Sequence, residues 1–198
     1  MPKLLLATSN PGKIREYRLL LDGLGYKITT LAEKGIAQVV TESGNNYEQN
    51  ARLKAITYAK LSQLIALADD SGLEVDALNG EPGVKSARFA GEAATDADRV
   101  SFLLAKLNGV PWERRTARFK CVIVIATPEG QSKVCSGECR GMIAFEAKGE
   151  NGFGYDPIFF LPETGKTMAE LPSELKNQIS HRARASQKAR QVLQQLHI

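Results

Sequence analysis

Leu64-Ile65-Ala66-Leu67-Ala68 is an apolar run of strand length, and Asp69-Asp70-Ser71-Gly72 follows it directly. The pattern predicts a core strand over Leu64 to Ala68 that delivers two carboxylates and a hydroxyl to its exit, at the sheet rim where α/β proteins keep their sites. Adjacent carboxylates in one small site repel each other unless a cation or a shared proton offsets the charge. A divalent cation is therefore the first chemistry to look for. Side chains alternate along an extended strand, so one aspartate faces the site while the other braces the turn. The plain alternative is a strand end with a solvated aspartate pair and a Ser-Gly turn.

Four further groups stand out. Thr8-Ser9-Asn10-Pro11-Gly12-Lys13 lies between a strand pattern and a helix pattern, where backbone N–H groups and the helix dipole attract phosphate and Lys13 adds a charge. It is not a P-loop: in that register Ala7 replaces the first glycine, and Ile14 replaces the hydroxyl that holds magnesium. An ordinary strand-to-helix turn is the competing reading. Asn50 and Lys54 are spaced i, i+4 and share a helix face, with Glu42 in the polar segment before it. Read alone, these suit a solvated face and a surface loop better than a site. Gly152-Phe153-Gly154-Tyr155-Asp156-Pro157 is a glycine-flanked aromatic loop whose backbone can approach a flat ligand while Phe153 stacks on it. Lys176, Ser180, His181 and Arg182 fall at the start of the C-terminal helix pattern. A cation there opposes the helix dipole, which hints at a ligand-facing role for Arg182. Arg184, Lys188 and Arg190 read as a solvated basic face, and His197 as inert.

The elements that must position these groups alternate. Lys3 to Ala7 and Ile28 to Leu31 read as strands, with a helix from about Lys13 that puts Ile14, Tyr17 and Leu21 on one face. Tyr47 to Leu64 is a helix with Tyr47, Ala51, Ala55, Tyr58 and Leu61 in period. Thr95 and Asp98 form a capping-box pattern for a helix through Leu107, closed by Asn108-Gly109. Phe119 to Ala126 and Lys133 to Cys139 read as a hairpin around Thr127-Pro128-Glu129-Gly130, and Phe159-Phe160 as a short strand. Ser180 is placed to cap a final helix to about Leu196. The fold class expected is α/β, a mixed sheet flanked by helices.

With 198 residues, the chain suits a single domain over 1–198 and is short for two independent ones. No apolar run approaches the roughly 20 residues needed to span a bilayer, so no membrane partner is expected. Cys121, Cys135 and Cys139 are odd in number and lack CxxC spacing, which points to a reducing, cytoplasmic setting. The net charge of +4 suits a polyanionic ligand without indicating nucleic acid.

Taken together, the order and spacing of these segments resemble the inosine/xanthosine triphosphate pyrophosphatase family over almost the whole chain. The segments carrying the likeness are Thr8 to Lys13, Glu48-Gln49-Asn50-Ala51 with Lys54-Ala55, Ala68 to Leu73, Pro82-Gly83 through Ser86-Ala87-Arg88-Phe89, Gly152 to Pro157, and Ile179 to Arg182. Ser9 stands where relatives often carry glycine, and Gly149-Glu150-Asn151-Gly152 departs from the usual Gly-Thr-Gly-Gly lead-in. The resemblance implies a long twisted mixed sheet, two lobes with a central substrate cleft, and a homodimer. It implies Mg²⁺-dependent hydrolysis of ITP, dITP and XTP to the monophosphate and pyrophosphate. It places Glu42 and Asp70 on the metal, with Asp69 as a further candidate, and makes Asp70 the proton acceptor. Thr8, Ser9, Asn10, Pro11, Gly12, Lys13 and Lys54 would hold the polyphosphate, and Ser71 would touch the substrate. Phe153, Gly154, Tyr155, Asp156, Lys176, His181 and Arg182 would form the base pocket, Arg182 donating to the 6-oxygen of the purine.

Two rival functions remain distinguishable. An RNA-binding module using the basic C-terminal helix would bind with steep salt dependence and no turnover. Glu42, Asp69 and Asp70 argue against a stable nucleic acid complex, because they repel a phosphate backbone. A pyrophosphatase for modified pyrimidine nucleotides is disfavoured by the purine-type Ser180-His181-Arg182 segment.

Overall fold

A computed structural model of the chain describes residues 1–196; His197 lies outside the described residues. In chain order the main elements are β1 (Lys3–Leu6), α1 (Pro11–Leu20), β2 (Lys27–Thr30), α2 (Tyr47–Ser62), β3 (Ile65–Val75) and α3 (Asp96–Lys106). They continue with β4 (Thr116–Ala126), β5 (Ser132–Ile143), β6 (Phe159–Leu161), β7 (Lys166–Thr167), α4 (Ser173–Ile179) and α5 (His181–Gln195). The strands form a seven-stranded sheet in the order β2-β1-β3-β4-β5-β6-β7. β1 is parallel to β2 and β3, whereas β6 is antiparallel to β5 and β7. The sheet is therefore mixed and flanked by helices, as expected.

The chain divides into two compact units. The first holds residues 1–70, 121–137 and the stretch from Arg182. Its core lies on both faces of the sheet, following the strand period of two. Leu4, Leu6, Leu67, Ile123 and Ile125 pack with Tyr17 of α1 and Ala185, Ala189 and Leu193 of α5. Leu5, Ala66, Ala68, Val124 and Ala126 pack with Ala51, Ala55, Tyr58 and Ala59 of α2. The second unit holds residues 71–120 and 138–181 around one cluster that includes Leu73, Val75, Leu103, Phe119, Ile143, Tyr155 and Phe159.

Four details differ from expectation. β3 does not stop at Ala68 but runs through both aspartates, Ser71 and Gly72 to Val75, so the carboxylates sit inside the strand and not at its exit. A strand tolerates charge in its interior when each charged group finds partners on its own face, and here each does. α1 begins at Pro11 rather than near Lys13, because Asn10 caps it and proline is pre-set for the first helical turn. Lys176 sits on α4, a separate helix; extended backbone at Ser180 separates it from α5. Leu61 shares the α2 period yet is half exposed, at the end of the helix where the core has stopped. The Thr95–Asp98 capping box at α3 is present in full.

Candidate active site

The strand period decides where the aspartates point. Asp69 follows Leu67 onto the face covered by α1 and α5, and its side chain is fully buried. Its Oδ2 lies 2.9 Å from Lys13 Nζ and 3.6 Å from the Arg182 guanidinium. The Cys121 thiol donates to the same oxygen at 3.9 Å. Burial by itself would raise the pKa of this carboxyl; Lys13, Arg182 and Lys54 outweigh it and hold Asp69 well below the usual carboxylate range. Arg182 is buried and also bonds Glu16 at 2.7 Å. Burial disfavours its charge, but Glu16, Tyr17 and Asp69 more than restore it, and its pKa is raised. Glu16 stands three residues after Lys13 on α1, so one helix supplies both a cation and the anion that holds the next cation.

Asp70 follows Ala66 and Ala68 onto the α2 face. There Asn50 Nδ2 donates to its Oδ2 at 2.9 Å. Lys54, one turn further along α2, donates to Glu42 Oε1 at 2.5 Å and to the Asp69 carbonyl at 2.6 Å. Lys54 is itself held charged: desolvation is outweighed by Asp69 and Glu42, and its pKa is raised. For Asp70 the balance falls the other way. Burial dominates, Glu42 adds repulsion, and Lys54 and Asn50 compensate only in part, so its pKa is raised. Asn50 and Lys54 thus share one helix face as their spacing predicts, but that face turns to the aspartates rather than to solvent, and Glu42 joins them.

The turn before α1 is ordered by its own side chains. Asn10 Oδ1 accepts from Lys13 N–H at 3.0 Å, and Thr8 Oγ1 accepts from Asn10 N–H at 3.2 Å. Ser9, Asn10 and Pro11 are exposed and Gly12 is buried, leaving an open helix N-terminus beside Lys13.

In the second unit, the aromatic loop is built around Asp156. Its Oδ2 accepts from Lys176 Nζ at 2.5 Å and from Phe153 N–H at 2.9 Å, and Lys176 Nζ lies 4.9 Å from the Phe153 ring centroid. Gly152 has φ +76°, and a Cβ there would collide with the Asp156 carboxylate, so this position requires glycine. Asn151, where the lead-in departs from the usual glycines, anchors the loop by donating to the carbonyls of Ala169 and Leu171 at 3.0 Å each. Tyr155 is buried, donates to the Ser86 carbonyl at 2.8 Å, and burial pushes its phenol up to about 12. His181 stacks on Phe119, centroids 4.7 Å apart. Ser71 is half-buried just after the aspartates.

Sequence reasoning missed Glu16, although its i, i+3 spacing from Lys13 was available as a signal. It also missed Asp96, which accepts from Gly154 N–H at 2.7 Å across 58 residues of sequence, a pairing no local pattern carries. Arg190 departs from the solvated-face reading by donating to the carbonyls of Leu20 and Asp22, where α1 ends. Lys188 is exposed and bonds the Ser136 carbonyl. The cysteines Cys121, Cys135 and Cys139 are buried thiols, not joined in disulfides. Among the described residues, no helix is long and apolar enough to cross a membrane.

Residues 4–192 match the Ham1 family. The chain is 51% identical to the dITP/XTP pyrophosphatase of Desulforamulus reducens over 99% of its own length and 98% of that protein. It is 45% identical to the dITP/XTP pyrophosphatase of Bacillus subtilis, covering 98% of each. Among solved structures it superposes on a HAM1 protein from Coxiella burnetii with a TM-score of 0.89 at 41% identity, covering 98% of this chain and all of that one. The Staphylococcus aureus Ham1 protein gives 0.87 at 42% identity, with coverage of 98% and 99%.

Proposed function

This chain belongs to the Ham1 family, and from that premise we propose that it hydrolyses deaminated purine nucleoside triphosphates such as dITP, ITP and XTP to the monophosphate and pyrophosphate. The observation that carries the mechanism is the opposite treatment of two adjacent carboxylates. Asp69 is locked as an anion among cations, while Asp70 is left as a base of raised pKa. A carboxylate with raised proton affinity, within hydrogen-bond reach of water, can take a proton as that water attacks the α-phosphorus. Lys13, Lys54 and the N–H groups opening α1 hold the polyphosphate and neutralise the charge that builds on departing pyrophosphate. Thr8, Asn10 and Gly12 shape that cradle, and Ser71 touches the substrate.

Mg²⁺ fits the donors present. Glu42 and Asp70 offer hard carboxylate oxygens around Lys54. Among the described residues, no three or more His, Cys, Asp or Glu side chains converge on one point. Magnesium commonly takes one or two carboxylates, with water and substrate phosphate supplying the rest. Bound there, it supplies charge neutralisation at the phosphates.

The nucleobase is read by Phe153, Asp156, Lys176 and His181. Lys176 is a donor and Asp156 an acceptor held side by side, which complements the 6-oxygen and the N1–H of hypoxanthine and xanthine. Adenine presents a donor and an acceptor in the reverse order. A buried mismatch of that kind discriminates by up to about 10⁴-fold. We assign Arg182 to the anchoring of Asp69, because its guanidinium is engaged by Glu16 and Asp69. The family resemblance supports a homodimeric, cytoplasmic working form, and light scattering showing a single-chain mass in solution would remove the dimer.

A panel of nucleoside triphosphates, with and without Mg²⁺, tests the whole reading when pyrophosphate and monophosphate are measured together. Pyrophosphate release from dITP and XTP, well above that from dATP and requiring Mg²⁺, is the expected result. Orthophosphate release, or turnover unchanged by chelator, overturns it.

A further inference from the structure

Asp96 is the first residue of α3, and the helix does not need it as a cap. The Thr95–Asp98 box already satisfies that end, with Thr95 Oγ1 and the Asp98 carboxylate bonded reciprocally. Asp96 instead turns its carboxylate outward. Oδ2 accepts from Gly154 N–H at 2.7 Å, and Oδ1 pairs with Arg99 at 2.5 Å. Arg99 is fixed in turn, donating to the Ala87 and Ala94 carbonyls at 2.8 and 2.7 Å. A second anchor comes from the same stretch of chain: Ser86 accepts the Tyr155 hydroxyl on its carbonyl, while its Oγ bonds Gly83 O and Leu73 N–H.

Gly154 lies at the turn of the aromatic loop with φ +64° and room around it. Glycine has the widest backbone freedom of any residue, so at this position the geometry that presents Phe153 leans on the partners the backbone finds. Phe153 N–H and Asp156 meet inside the loop; Asp96 ties the loop's outer side to a helix. We infer that Asp96 is a positioning residue for nucleobase reading, latching Gly154 so that Phe153, Asp156 and Lys176 meet the base preordered. The inference rests on the assignment of this loop to the nucleobase. The latch acts on binding and not on the reacting phosphates, so its loss falls on KM and leaves kcat.

Steady-state kinetics with dITP and amide exchange at Gly154, on wild type, Asp96→Ala and Asp96→Asn, test it. Losing one charge-assisted hydrogen bond raises the KM of Asp96→Ala for dITP by about 5–20-fold, with kcat within about twofold. Gly154 exchange quickens in the same variant. Asparagine keeps an acceptor oxygen, so Asp96→Asn stays within about threefold of the wild-type KM. A lowered Tm with unchanged KM, an asparagine variant as impaired as the alanine one, or unaltered Gly154 exchange overturns the latch. Failure of the function itself looks different: the wild type then leaves dITP intact, whereas failure of the latch leaves wild-type turnover in place and Asp96→Ala matching it.

Discussion

Asp69 and Asp70 are neighbours on one strand, both buried, and chemically opposite. On the α1/α5 face, Asp69 meets Lys13 and Arg182 and is held as an anion. On the α2 face, Asp70 meets the Asn50 amide, lies beside Lys54 and Glu42, and is pushed toward its protonated form. The difference teaches that a strand through the middle of a sheet can separate two roles by a single residue. The 180° alternation sends consecutive side chains to opposite faces, where Asp69 meets Lys13 and Arg182 and Asp70 meets Asn50. The anchoring role goes to the face with surplus positive charge. The proposed base lies on the face where desolvation is incompletely offset.

The largest test of that contrast is Asp70→Asn, which keeps the shape and the bond to Asn50 while removing the base. We expect kcat to fall by about 10²–10⁴-fold. A variant retaining more than about a tenth of wild-type kcat, a loss under about 1.4 kcal/mol, breaks the assignment of the base. Asp69→Asn should act on the fold as well as on the site. Removing the anion leaves Lys13 and buried Arg182 without their shared partner, and breaking such a buried pair costs about 3–5 kcal/mol. Urea unfolding that gives a loss below about 1 kcal/mol would show that Glu16 alone suffices for Arg182.

Stability should then move in opposite directions at the two positions. Because the folded pKa of Asp70 lies above its ordinary 3.8, the folded state prefers the protonated form, and ionisation costs stability as pH rises through that folded pKa. Asp69, with a depressed folded pKa, contributes stability above its ordinary value that is lost as pH falls through the folded one. Asp70→Asn should therefore be more stable than wild type at pH 7 by about 0.5–2 kcal/mol, read by thermal or urea melts, and a less stable variant contradicts the sign. For wild type, kcat/KM should rise with pH through an inflexion above 3.8 as Asp70 ionises in the free enzyme; a profile flat across the acid range sinks that role.

The smallest expected effect sharpens the comparison. Cys121 donates weakly to Asp69, and burial pushes its thiol up to about 12. Cys121→Ala should cost about 1 kcal/mol of stability, mostly through the small cavity, and leave the acid limb of the rate profile unmoved. A shifted limb would mean that the two faces communicate through the strand.

Much of this was legible in the residues themselves. The helix carrying Asn50 and Lys54 and the capping box at Thr95 follow from local spacing, and each is present. The strand's true end at Val75 was not legible, because a charged pair after an apolar run reads as a boundary until its partners are known. Those partners, Lys13 and Arg182, lie 56 residues before and 113 after Asp69, at separations where no periodicity speaks. The same holds for Asp96 and Gly154.

By itself the sequence determined which side chains are available and, through the strand period, that Asp69 and Asp70 must part company. Which of them is held as an anion and which has its proton affinity raised was decided only by tertiary structure. Proton affinity depends on what lies within a few ångströms in space, and the cations that lower it at Asp69 arrive from helices distant along the chain.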